Sequence, residues 1–408
     1  MTNNEKWKDI QEILLRAQCT DDKEFKAVTL KHNEGVSAEA KALHEEAVVI
    51  DGSVSGLDNY NWMLAESGLT AFNLSVPDMY NPNAGAAARN LSNAYWATKR
   101  SPEQLKMVHS VAEIQDAKKN GMICAIPGTR QADFMLHRDL LGSAEVFSMT
   151  GFKVVRMVGE TRSFIADNAL DGTNAGLTEQ GRVFLKALAD HGVTIDLAYA
   201  APQSFFEALT LLNRPVVCCG VSVQALYPHP ANLSDEQVRA VANLGGVICL
   251  SANPELNWNG KDLPTIDKFV DAIAYIKDIA GIDAVGIGTG LYTQPGGQER
   301  HAALTILEGL SGKKYPAEYG SPYLAMYDAG WGIESTSMMG LNSVANLPNL
   351  TQHMLDRGFT SEEIKKVLGA NMLRGAFSKG EEEESAGSDY SFKTMLLMAI
   401  ATSIDALA

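Results

Sequence analysis

Short apolar runs recur along the chain with amphipathic stretches between them. Eight runs predict strands: AVVID at 47–51, LTAFNLSV at 69–76, MICAI at 122–126, KVVRMV at 153–158, VTIDL at 193–197, PVVCC at 215–219, GVICLS at 246–251 and AVGIG at 284–288. Most are continuous rather than alternating, the pattern of parallel strands covered on both faces. Helix starts fall between them. Ser101 as cap, Pro102 at the first helical position and Gln104 closing a capping box predict a helix over SPEQLKMV, and SDEQVRAVANLGG runs from Ser234 through Gln237 to a glycine stop. Eight strands alternating with helices over about 250 residues is the pattern of an α/β protein of the (β/α)8 (TIM) barrel type; a doubly wound open sheet is the competing arrangement. A helical pair follows, LPNLTQHMLDRGF and then TSEEIKKVLGANMLR, in which Thr360 and Glu363 make a capping box and Gly369 breaks the pattern. The chain divides into an N-terminal helical extension at 1–36, the barrel at 37–378, an acidic linker at 379–391 and an apolar C-terminal segment at 392–408.

In such a barrel the chemistry sits on the loops that follow the strands. Those positions hold Ser53 and Ser55, Asn73 to Asp78, Pro127 to Arg130, Gly159 to Arg162, Tyr199, Gly220 and Ser222, Asn253, and Thr289 to Tyr292. The first of them poses a question. The strand in VVIDGSVSGL stops at Asp51 and Gly52, and beyond it the chain offers only Ser53, Val54 and Ser55.

Composition narrows the function classes. Against 34 Lys and Arg stand 49 Asp and Glu, a net charge of −15 that supplies no basic patch for nucleic acid. The five cysteines, Cys19, Cys124, Cys218, Cys219 and Cys249, form no CxxC, and this sparse odd set fits a reducing compartment. The N-terminus shows no basic region followed by an apolar one, so a cytoplasmic location is the expectation.

The segments LHEEAVVIDG, GLTEQGRVFLKALADHGVTIDLAYA, RPVVCCGVS, ANLSDEQVRAVANLGGVICLS, YIKDIAGIDAVGIGTG and LPNLTQHMLDRGFTSEEIKKVLGANMLR resemble the membrane dipeptidase (renal dipeptidase) family, in family order, over roughly residues 38 to 376. The resemblance implies a metal-dependent-hydrolase-like (β/α)8 barrel holding two zinc ions and hydrolysing dipeptides. The family's His-x-Asp after the first strand falls on Ser53 and Ser55, and its bridging glutamate on Pro127. Its two histidines after the fifth and sixth strands fall on Tyr199 and Gly220. The substrate-binding histidine falls on Gly159, the proton-shuttling aspartate on Gly290, and the carboxylate-gripping arginine on Ala231. Zinc needs imidazole, thiolate or carboxylate ligands, so these eight replacements predict a dismantled metal site and no zinc cofactor. The eight histidines, His32, His44, His109, His137, His191, His229, His301 and His353, offer no ligand spacing for a replacement site. His191 stands beside Gly192 at a helix end, where a histidine suits the dipole.

What remains gives several candidates. Arg130, Glu160, Arg162, Tyr199 and Tyr292 are positioned to meet a small ligand, Arg162 through a bidentate carboxylate pair; an internal ion pair with Asp167 is the alternative for Arg162. Asp51 and Asp196 lie before the strand tips, where bonding to loop backbone is the expectation. Cys218 or Cys219 as a nucleophile competes with simple packing. GIGTG at 286–290 lacks the third glycine of a dinucleotide fingerprint. FKTMLLMAIATSIDALA resembles the opening of a repeat in small manganese-efflux transporters, and its apolar stretch of about 14 residues is too short to span a bilayer. A fusion, a truncated reading frame, docking on the barrel or a membrane contact are the readings for it.

The leading expectation is a non-hydrolytic pseudoenzyme that keeps the barrel and binds a small peptide-like or amino-acid ligand. An active dipeptidase or other hydrolase with an altered site, and a structural or partner-binding subunit, are the alternatives. The resemblance also implies a homodimer.

Overall fold

The structure, a computed structural model, describes residues 23–76, 83–132, 134, 139–293, 320–331 and 337–377. Its sheet contains nine parallel strands: β1 Ile50–Ser55, β2 Ala71–Ser75, β3 Leu105–Met107, β4 Ile123–Thr129, β5 Val154–Arg156, β6 Thr194–Asp196, β7 Val217–Val221, β8 Val247–Leu250 and β9 Val285–Ile287. Eight of them close a ring. β1 pairs with β2 and with β9, β2 pairs with β4, and β4 through β9 pair in sequence. An open sheet is therefore excluded, and the eight strands of the ring are the eight apolar runs.

The ninth strand, β3, corrects the reading of SPEQLKMV as a helix. A helix not predicted from the sequence, Ala84–Arg100, ends here, and the Ser101 N–H bonds back to the Ala97 carbonyl, which makes Ser101 its C-cap. The next three residues turn, and Leu105 to Met107 then pair with Ile123 to Ala125 of β4. Ser-Pro is a helix opening only where no helix is already ending there. The other predicted caps hold: Ser234 with Gln237 opens Asp235–Asn243, and Thr360 with Glu363 opens Ser361–Lys365.

The ring is closed at its N-terminal end by the last described helices. Gly369 interrupts the helical backbone because the chain passes directly against β1 there: a Cβ would lie 2.7 Å from the Ile50 nitrogen and closer still to the Val48 carbonyl oxygen. Asn371 then donates to the carbonyls of Ile282 and Val285 at 2.7 and 2.9 Å. Of the N-terminal extension, the helix Lys23–Lys31 is described; Asn346 anchors it by donating to the Thr29 carbonyl at 2.8 Å. The acidic linker and the apolar C-terminal segment lie outside the described residues. Among the described residues no helix is long and apolar enough to cross a membrane.

Candidate functional site at the barrel mouth

β1 runs to Ser55, so Ser53 and Ser55 sit within the strand rather than beyond it. The strand continues past Asp51-Gly52 because its backbone stays paired: Gly290 N donates to the Ser53 carbonyl at 2.7 Å and Ser55 N to the Leu291 carbonyl at 3.0 Å. Asp51 is fully buried beneath this end. Its carboxylate accepts from Ser53 N at 3.0 Å, Thr289 N at 2.9 Å and the Thr289 hydroxyl. Burial raises its pKa to about 6, against the opposing pull of those hydrogen bonds and of the Arg130 charge. Asp51 thus ties the first and last strands together at the mouth.

The floor of the mouth is taken by a residue that the sequence reading passed over. Arg156, the last residue of β5, is 6% exposed and directs its guanidinium into the ring. Its Nε lies 2.9 Å from Asp196 Oδ2, and its Nη2 donates to the Cys219 carbonyl. Burial alone would lower the guanidinium pKa, but Asp196 and the other groups around it outweigh that and leave it above its ordinary value. Asp196 Oδ1 also accepts from Ala198 N at 2.9 Å and Cys219 N at 3.0 Å, so backbone binding was only half of its role. The Tyr199 ring lies over the guanidinium at 5.3 Å, and Tyr199 holds a left-handed backbone, φ 66°, that bulky side chains avoid.

The glycines at the mouth lie close against their neighbours. A Cβ on Gly220 would lie 3.5 Å from Arg156 Nη2 and 3.6 Å from Ser53 Oγ. One on Gly159 would collide with the Gln131 side chain, and one on Gly290 would lie 3.3 Å from both amide atoms of Asn253. Gly220 and Gly290 also hold positive φ, 80° and 75°, which disfavours any side chain. Pro127 is buried in β4, paired with Leu74. Ala231, 2% exposed, packs in the core.

The ligand candidates separate. Arg130 is half-buried and places its Nη2 3.5 Å from Ser53 Oγ. Arg162 instead forms an ion pair with buried Asp167 at 2.7 Å while its own side chain stays 56% exposed. Glu160 is partly exposed on the same loop, with interactions of its own. Tyr292 pairs with Ser55 and, with Asp58, Ser75, Asn90 and Asn93, lines a cavity of about 150 Å³. Asn253, 8% exposed, has its side-chain oxygen buried with no hydrogen-bond partner among the described residues.

Cys19 lies outside the described residues, and the four described cysteines are buried packing residues. Cys218 and Cys219 are fully buried, and their thiol pKa values stand well above the ordinary value, Cys218 through burial and Cys219 through the hydrogen bond it donates to Cys249 and then burial. His191 caps the end of the helix Glu179–Asp190, as its neighbour Gly192 suggested. His137 and His301 lie outside the described residues.

A closed parallel (β/α)8 barrel with its polar cluster at the C-terminal ends of the strands is the architecture of the barrel hydrolases. Residues 66–299 match the family Membrane dipeptidase (Peptidase family M19), and the chain belongs to that family. Residues 362–408 match Putative manganese efflux pump; the described part of this stretch, up to Phe377, packs beneath the barrel. Among curated relatives, Dipeptidase tcpJ from Claviceps purpurea is 21% identical over 278 residues, 67% of this chain and 55% of that protein. An uncharacterized dipeptidase from Schizosaccharomyces pombe is 26% identical over 226 residues, 55% of this chain and 46% of that one. The chain thus spans about half the length of the curated relatives it matches. A solved amidohydrolase from Pseudomonas aeruginosa superposes with a TM-score of 0.69 at 26% identity, covering 83% of this chain and 99% of its own.

Proposed function

We propose that this chain is a non-hydrolytic member of its family that binds a small peptide-like or amino-acid ligand at the barrel mouth. The residues present do not fit the zinc pair that the family resemblance implies. Serine, tyrosine, proline and glycine stand at the ligand positions, and a neutral hydroxyl is a poor zinc ligand. Among the described residues, no three of His, Cys, Asp or Glu come together as a metal-holding group.

One observation carries the reading. The Arg156 guanidinium lies 3.5 Å from the position of a Gly220 Cβ, where the family pattern places a zinc-binding histidine. A guanidinium beside that position, bonded to Asp196, is a poor neighbour for a divalent ion and ties up a carboxylate that could have held one. Without zinc, the polarised carbonyl and the water of lowered pKa that drive metallopeptidase hydrolysis are both missing.

The cavity beside Ser55 and Tyr292 favours a ligand-binding role over a purely structural one. The relatives' names favour the competing reading of an active dipeptidase. Elemental analysis of the purified protein, run with a dipeptide-hydrolysis panel in added zinc, separates the two. The expected result is far less than one zinc per chain and no turnover. Stoichiometric zinc with turnover would overturn the proposal.

A further inference from the structure

We infer that Arg130, Ser53 and Asn253 form a subsite for a carboxylate attached to an amide, the end of an N-acylated amino acid or short peptide. The inference rests on the reading that the mouth binds a ligand, and it names the chemistry the ligand presents.

Of the described charged side chains next to Ser53 at the mouth, three are already engaged. Arg156 and Asp196 neutralise each other at 2.9 Å. Asp51 spends its oxygens on Ser53 N, Thr289 N and the Thr289 hydroxyl. Arg130 is left. Its one hydrogen bond among the described residues is the 3.5 Å contact from Nη2 to Ser53 Oγ, at the long limit for such a bond. A guanidinium carries five N–H donors in a planar fork that matches a carboxylate edge. Because Arg130 donates to Ser53 Oγ, the serine hydroxyl proton remains available to the same carboxylate.

Asn253 supplies the second half. Its carbonyl oxygen is buried with no partner among the described residues, a state that costs about 1–3 kcal/mol unless something donates to it. Its amide stands 3.3 Å from where a Gly290 Cβ would be, and Gly290 N is bonded to the Ser53 carbonyl, so Asn253 and Ser53 are next-door neighbours across one residue. An amide N–H next to a carboxylate meets both requirements: the carboxylate on Arg130 and Ser53, the N–H on Asn253 Oδ1. Neither Arg130 nor Asn253 stands at a position where the family pattern places a metal ligand or its carboxylate-gripping arginine, which here is Ala231.

Isothermal titration of the full chain with N-acetyl-L-alanine and L-alanyl-L-alanine, and with N-acetyl-L-alaninamide as the uncharged probe, tests this. The acids should bind at least about tenfold more tightly than the amide, the size expected of a charged hydrogen bond. Arg130→Gln should remove that preference without weakening the amide further, Arg130→Lys should restore part of it, and Asn253→Leu should weaken acid and amide alike. Circular dichroism confirms that each variant is folded. Equal affinity for acid and amide, an Arg130→Gln variant that keeps the preference, or no binding of either acid would overturn the subsite. Zinc content and hydrolysis measured on the same samples report separately on the non-hydrolytic reading.

Discussion

Replacing Arg156 with methionine tests the floor of the mouth directly. The substitution keeps an unbranched, flexible side chain of related length but removes the charge that faces Asp196 at 2.9 Å, the bond to the Cys219 carbonyl and the cation under the Tyr199 ring. Asp196 is 2% exposed, so its carboxylate would be left uncompensated in the interior. Breaking one side of a buried pair costs about 3–5 kcal/mol. Here the two N–H bonds that Asp196 Oδ1 keeps, from Ala198 and Cys219, place the loss near the lower end, about 3 kcal/mol. Both bonds fall on Oδ1, so Asp196→Asn retains them and alters only the oxygen that faced the arginine. The double variant Arg156→Met/Asp196→Asn should therefore recover about 2 kcal/mol of the single variant's loss, a coupling typical of contacting residues. Urea unfolding at neutral pH, followed by tryptophan fluorescence, measures all four proteins of the cycle. A single variant that loses less than about 1 kcal/mol, the worth of an exposed pair, would refute the reasoning. So would a double variant no more stable than the single.

Three further outcomes are expected. Burial lowers the His44 pKa to about 4, so between there and 6.5 the unfolded chain takes up a proton that the folded one refuses; stability falls by about 3 kcal/mol as pH drops through that window. Asp51, with its pKa raised to about 6, acts in the opposite sense: the folded chain holds its proton longer, and that contribution is lost as pH rises from 3.8 to 6. Urea midpoints from pH 4 to 7 should accordingly differ between the wild type and His44→Gln by an amount that shrinks towards acid, and a constant difference would contradict it. Gly369→Ala should cost at least about 2 kcal/mol, because the new methyl meets the Val48 and Ile50 backbone, which cannot swing aside; Gly35→Ala, with open space around it, is the control and should be nearly neutral. Brief iodoacetamide treatment of the native protein, read by mass spectrometry, should leave the fully buried Cys124, Cys218, Cys219 and Cys249 unmodified, and rapid labelling of Cys218 or Cys219 would revive the nucleophile reading.

The barrel was legible because a strand buried on both faces is mostly apolar, and most of the eight ring strands are written that way. β3 was not, since Leu105-Lys106-Met107 is too short for a pattern and Ser101-Pro102 imitates a helix start while serving a helix end. At the mouth, strand order alone pointed to Ser53, Gly220 and Asn253. Arg156 was missed because KVVRMV was read as one apolar unit. A charge inside that apolar run was the available signal, and its partner Asp196 ends the neighbouring strand. No local pattern links Gln131 to Gly159 or Asn253 to Gly290; those pairings exist only after the ring has closed.

The crowded glycines bear on how this barrel can change from here. A histidine at position 159 would require Gln131 to swing aside, and one at position 220 would lie against Arg156 and bear the penalty of a left-handed backbone. The floor of the mouth thereby resists substitution, and variation has freer play on the half-buried arginine at the rim than on the floor beneath it.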